Sequence, residues 1–434
     1  MFETEVSPRG ERTLAAAQSD ASTSPVSLSE VERFQMLAGA RRSADRAPLP
    51  DTFDFNTLDA AQPLYPAMEV VPTPARRAEV SPQPASNEAE ARAGLMREIA
   101  RMPQALARDV TESMRLLESR TPPLSREQIA GVLSATERLL SDREGRSPLD
   151  LGQRQLLAAG ILDNAARPRD IDQGGHNTCN VTVIEERLYT RNPEIAAALV
   201  AEVGLTGSFT ARDGFRAILD RSSLRPNSES RVLPSQGDGQ RNYASQIFQV
   251  AVLNDFYQRQ DPNRRYIQRD LRTAADPRGM APTGEGMAFS QNDRISQREA
   301  RRAGAFGGLD LNEINRLGQN LGLEPNYVIG HRRARDANEE SGTTVVANVE
   351  QLAEALSRAR SSNNFPLVVG VEVDGPMFPR SVGRGGHVLS IVGYDPETRT
   401  VQISNQWGRD EDRTVRLQDL HDSMFERPQA RRRQ

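Results

Sequence analysis

The sequence predicts an α+β fold, with a helical subdomain followed by an antiparallel β-sheet subdomain. Three observations carry that prediction. Apolar residues recur at helical spacing from Leu95 to Leu356. From Leu367 onward the texture changes to short β-branched runs separated by turn residues. The first 91 residues hold neither pattern, and a hydrophobic content of 37% over 434 residues is low for a wholly globular chain.

Residues 1–91 read as a disordered arm rich in Ser, Thr, Ala and Pro. Such a composition buries too little apolar surface to offset the entropy of ordering. Two features interrupt it: Ser29 with Glu32 makes a capping box ahead of Val31, Phe34 and Leu37, and Phe53, Phe55 and Leu58 form a candidate docking motif. Residues 92–165 form a helical block. Leu95, Ile99, Leu106, Val110, Met114 and Leu117 keep helical spacing, with Pro103 splitting the element. Ser125 with Gln128 caps a second helix, and Ser147-Pro148 starts a third. The block reads equally as a brace, a partner-binding bundle or a prodomain.

Residues 166–425 form the main domain. A helix starts at Cys179, carries Val181, Ile184 and Leu188 on one face and ends near Pro193. A second stops at Gly204. Residues 205–308 are expected as a helical insertion, with helices at Phe215–Leu219 and Tyr243–Ala251 and an irregular stretch over 260–308. Asp310 and Asn348 cap two more helices. Strands follow at Leu367–Val373, His387–Tyr394, Thr400–Ser404 and Thr414–Leu417, with a turn at Asp395–Thr398. Residues 426–434 are a basic tail.

A net charge of −4 gives no whole-protein field for nucleic acid or membrane, and no apolar run approaches a membrane span. The expected partner is a protein or peptide substrate, with no nucleic acid and no membrane. Cys179 is the only cysteine, which excludes an internal disulfide. Met1-Phe2-Glu3-Thr4-Glu5 lacks the basic-then-apolar pattern of a cleaved signal peptide, so the protein is expected in the cytoplasm or exported without such a signal. All 55 basic residues are arginine. A GC-rich genome produces that composition. Selection against lysine, in an effector delivered to act on a host protein, produces it too.

The chemistry gathers around Cys179. A helix N-terminus favours a thiolate through its unpaired N–H groups, and Asn177 and Thr178 are the cap candidates. Gln173 precedes the cysteine by six residues and can donate to an oxyanion. Far downstream, Gly385-Gly386-His387 delivers a histidine into a strand, where it can pair with the thiolate and protonate a leaving group. Asn405 can hold the imidazole in one tautomer, and Trp407, the only tryptophan, can cover that bond. Asp395 is the competing third member. Pairing Tyr394 with Arg399 puts His387 opposite Gln406. Asn405 and Trp407 then lie on the other face, unless a bulge or a longer turn shifts the register by one. His176, Cys179 and His387 lack the further ligand that a zinc site needs.

Gln173, the helix starting at Cys179, Gly386-His387 leading to Gly393-Tyr394-Asp395, and Asn405-x-Trp407-Gly408 together resemble the papain-like cysteine peptidases. The resemblance covers short motifs within 166–425 and lacks that family's Cys-Gly-x-Cys-Trp run. It implies a papain-like fold with Gln173 in the oxyanion hole, Cys179 as nucleophile, His387 as general base and acid, and Asn405 as the orienting residue. Gly386 and Trp407 stand on the substrate or shielding side. The implied activity is hydrolysis of a peptide or protein amide through an acyl-enzyme, with no metal and no organic cofactor. The same scaffold also supports glutamine deamidation or transglutamination, and a degenerate copy serves binding alone.

Overall fold

The computed structural model describes residues 88–425, except 143–144, 175, 177, 228, 232–237, 268–285, 290–308, 335–338 and 379–385. The arm up to residue 87, with its two candidate features, and the tail from 426 lie outside the described residues, as does most of 260–308. The first helix, α1 (Glu88–Ile99), begins inside the stretch read as the arm.

Three more helices follow: α2 (Gln104–Ser119), α3 (Arg126–Ser141) and α4 (Leu151–Ala166). Pro103 sits at the N-cap of α2 and separates it from α1. Ser125 and Gln128 form the reciprocal capping box expected for α3. The start of α4 differs from expectation. Asp150 and Gln153 form its capping box, whereas the Ser147 hydroxyl donates to the Gly204 carbonyl at 2.7 Å.

Next come α5 (Cys179–Arg191) and α6 (Pro193–Thr206). α6 continues past Gly204 and ends at Gly207, whose φ of 74° is the left-handed cap. Gly204 is small for another reason: a Cβ there would lie 2.7 Å from a Leu157 methyl and 2.9 Å from one on Leu139, so helices pack directly on it.

The segment expected as a helical insertion is only partly helical. β1 (Ser208–Thr210) and β2 (Arg216–Ile218) form a hairpin where Phe215–Leu219 reads as a helix. α7 (Tyr243–Gln260) follows, then a second hairpin of β3 (Arg264–Ile267) and β4 (Gly286–Phe289). Three or four residues per strand are too few for period-2 alternation to stand out in sequence.

The remaining chain runs α8 (Leu311–Asn320), β5 (Val328–His331), β6 (Thr343–Val346), α9 (Val349–Ser361), β7 (Leu367–Glu372), β8 (Gly386–Asp395), β9 (Thr400–Ser404), β10 (Arg413–Arg416) and α10 (Leu417–Ser423). Six strands form one sheet in the order β10-β9-β8-β7-β5-β6. The sheet is mixed, not wholly antiparallel: β5 runs parallel to both β6 and β7. α9 supplies the crossover that returns the chain in the same direction. Buried residues from α1 through β9 form one apolar cluster, so the block 92–165 shares its core with the sheet-bearing half. α5 packs on β8 within this core, which sets Cys179, the first residue of α5, beside Val388 near the start of β8. Among the described residues no helix is long and apolar enough to cross a membrane.

Candidate active site

Cys179 is the first residue of α5. Thr178 occupies the cap position but does not cap: its hydroxyl bonds the Gln249 side-chain oxygen at 2.7 Å. In the first turn the Asn180 side chain accepts the Val181 N–H at 2.8 Å. Backbone N–H groups of Val388, Asn180 and Cys179 face the thiol and favour its anion. Burial outweighs them and pushes the thiol pKa up. That reverses the simple expectation from a helix N-terminus, because the apolar core lies on the other side of Cys179.

His387 is the second residue of β8 and is buried, 2% exposed. Its Nε2 lies 2.8 Å from Asn405 Oδ1. An amide oxygen only accepts, so Nε2 carries the proton and Nδ1 keeps a lone pair. The Trp407 backbone N–H also donates to Asn405 Oδ1, at 3.3 Å. The indole lies over the imidazole with ring centroids 4.2 Å apart and planes 19° from parallel. Burial drives the His387 pKa down to about 4, with the Asn405 bond acting the other way.

The register explains how these three meet. The β8–β9 turn keeps four residues but sits one position further along the chain than expected, which shifts the pairing by two: Asp395 pairs with Thr400 and Tyr394 with Val401. A bulge between Ile391 and Gly393 then moves the pairing back by one, so Ser390 meets Ser404. The net shift of one residue turns Asn405 and Trp407 to the face of His387. Asn405 is anchored through its backbone N–H, which donates to Asp412 Oδ1 at 2.8 Å. Arg169 holds Asp412 from behind at 3.2 Å. Asp395 belongs to the turn, accepting from the Glu397 N–H and the Thr398 hydroxyl, and those bonds keep its carboxyl low. Gly386 is exposed and opens β8 opposite Glu372.

Gln173 is buried in the loop before Cys179. Its backbone N–H donates to the Gln406 carbonyl at 2.9 Å, which ties it to the loop carrying Asn405 and Trp407. Its side-chain NH2 donates to the His176 carbonyl, and its Oε1 makes no hydrogen bond to the protein. Gly174 turns this loop with φ +64°, and a Cβ there would lie 2.4 Å from a Glu229 oxygen. The same carboxylate bonds His176 Nε2 at 2.8 Å. His176 is therefore a loop anchor. Among the described residues no group of three or more His, Cys, Asp or Glu side chains is placed to hold a metal ion.

The site thus gathers His387, Asn405 and Trp407 in direct contact, Cys179 beside them through Val388, and Gln173 through the Gln406 backbone. The side-chain bond that His387 makes is to Asn405. Sequence reasoning missed Glu186 and Gln406, whose side chains meet at 3.0 Å beneath this cluster. Their one sequence signal is position: Gln406 lies between Asn405 and Trp407, and Glu186 follows Cys179 by two helical turns. Such a set can orient an imidazole, present a thiol at a helix start and offer N–H donors beside it. Comparison of the chain with protein-family models, curated proteins and solved structures returns no match.

Proposed function

We propose that this protein is a papain-like, cysteine-dependent hydrolase acting on a peptide or protein amide bond. The observation that carries the reading is the His387–Asn405 bond under Trp407, set at the start of the helix that Cys179 opens. The Cys179 sulfur attacks the amide carbon while its proton passes to His387 Nδ1. The oxyanion takes the Cys179 N–H and a Gln173 amide hydrogen. His387 gives the proton to the leaving amine, breaking the C–N bond and leaving a thioester on Cys179. Water then attacks the thioester with His387 as base, releasing the acid and the thiol.

The test is the rate of Cys179 alkylation by iodoacetamide against pH, read by intact mass, in the wild type and in His387→Ala. The reading requires fast labelling well below the ordinary thiol pKa of about 8.5, lost in the variant. Peptide cleavage, ammonia release from glutamine and amine incorporation then separate peptidase, deamidase and transglutaminase. One observation favours a second reading, a papain-like binding module: burial raises the Cys179 pKa and lowers that of His387, which holds both groups neutral. It predicts labelling that rises only near the ordinary thiol pKa and no loss of function in Cys179→Ala.

A further inference from the structure

We infer that the buried Glu186–Gln406 pair is the positioning element that locks the nucleophile helix to the loop orienting His387. This rests on the hydrolase reading for its catalytic consequence, although the contact itself does not depend on it.

Gln406 is a junction between three segments far apart in sequence. Its Nε2 donates to Glu186 Oε2 at 3.0 Å, across 220 residues of chain. The same nitrogen lies 3.4 Å from the Ser390 hydroxyl on β8 and 3.4 Å from the Ser404 carbonyl at the end of β9. Its backbone carbonyl accepts the Gln173 N–H at 2.9 Å. Its chain neighbours, Asn405 and Trp407, are the two residues that hold the imidazole. One side chain and one carbonyl thereby connect the oxyanion-side loop, the histidine strand and the nucleophile helix.

Glu186 supplies the helix end of that connection. It lies seven residues after Cys179 on α5, two turns along the same helical face. Its carboxyl is 1% exposed, so bulk water does not compete for the Gln406 amide. The hydroxyls of Ser390 and Ser404 lie beside it, and the nearest charges acting on it are Asp412 and Arg169. Glu186 Oε1 and Gln406 Oε1 accept no hydrogen bond from the protein. A buried polar pair left partly unsatisfied costs stability. Apolar residues at both positions would avoid that cost, and the geometric coupling is what the polar pair provides.

The experiment compares Glu186→Gln, Glu186→Leu and Gln406→Met in the full chain. Three readouts are taken: thermal unfolding, intrinsic fluorescence and Cys179 alkylation against pH. Trp407 is the only tryptophan, so emission reports its stack on His387 without interference. Glu186→Gln keeps an acceptor for the Gln406 amide and is expected to hold wild-type emission and a similar alkylation profile. Glu186→Leu and Gln406→Met remove the bond. They are expected to change Trp407 emission and slow alkylation at neutral pH by about tenfold, the effect of about one hydrogen bond to a charged group. Should Glu186→Leu fail to fold, Gln406→Met decides. Folded variants with wild-type emission and an unmoved pH profile would overturn the inference. Wild-type alkylation that is slow and independent of His387 would sink the hydrolase reading instead, while the fluorescence comparison still decides the positioning role.

Discussion

Glu185 and Glu186 leave adjacent positions on α5 and enter opposite halves of the molecule. Glu185 faces the helices: Asn164 donates to one oxygen at 3.0 Å, Gln249 to the other at 3.0 Å, and the Ser245 hydroxyl lies beside them. Glu186 faces the sheet, where Gln406 is its amide donor and Oε1 accepts nothing from the protein. Burial raises both carboxyls to about 7. The shared shift shows that depth in the core sets proton affinity, whereas the partners decide what each side chain does. Around Glu185 on the helical side both carboxylate oxygens have amide donors, and that local network serves packing. On the sheet side, orphaned polar atoms of Gln173, Asn405, Gln406 and Glu186 collect around the candidate site.

The largest effect that would sharpen this contrast is chemical. His387→Ala on the sheet side removes the base, and alkylation or turnover near neutral pH is expected to fall about a thousandfold. The unfolding temperature should change little in comparison. An unchanged alkylation rate would remove the functional side of the contrast.

Next in size is the loss of a closed network. Glu185→Leu leaves the Asn164 and Gln249 amides buried without their acceptor, at an expected cost of about 3 kcal/mol in denaturant unfolding. Glu186→Leu removes the best acceptor of one amide, which keeps only its longer contacts to Ser390 and Ser404, and is expected to cost about half as much. Equal losses, or a larger one at Glu186, would break the comparison between the two halves.

The contrast was only half legible in sequence, for physical reasons. Cys179 at a helix start, the strand carrying His387 and the Asn405-x-Trp407 pattern are local signals, readable over a few residues. N-caps at Ser125, Asp310 and Asn348 are equally local, and α3, α8 and α9 begin where those caps place them. The bulge between Ile391 and Gly393 is not local: it reflects how β8 meets β9 and carries no residue signature, yet it decides which face Asn405 takes. β5 and β6, each four residues long, were hidden for want of period. The Glu186–Gln406 contact depends on the packing of α5 on β8, and a glutamate on a helix reads as solvated until that packing is known.

The pH dependence of stability gives a smaller test. For Glu185 and Glu186 the folded-state pKa, about 7, lies above the ordinary glutamate value of 4.5, so the native state binds more protons across that interval. Stability therefore falls as pH rises from about 4.5 to 7. Each group contributes at most about 3 kcal/mol to that fall. Glu186→Gln removes one contribution, so its stability measured by urea unfolding should decline less steeply over the interval and gain on the wild type at pH 8. A variant as steep as the wild type would mean that Glu186 is not buried as a proton-binding group.

The smallest expected effect tests what the indole does. Burial lowers the His387 pKa to about 4, and the stacked Trp407 is part of what buries it. Thinning the cover admits water and favours the imidazolium, so the His387 pKa should rise toward its ordinary value, about 6.5. Trp407→Phe keeps a ring face over the imidazole but loses area, and Trp407→Ala loses the cover altogether. The shift should be small in the first variant and larger in the second, as read from the His387 ring protons by NMR against pH. Alkylation at neutral pH should fall only about fivefold in Trp407→Phe, because the Asn405 bond that fixes the tautomer remains. An unmoved pKa in Trp407→Ala would show that β8 and α5 bury the imidazole without help. Trp407 would then be core packing, and the sheet side would be closed in the same sense as the helical side.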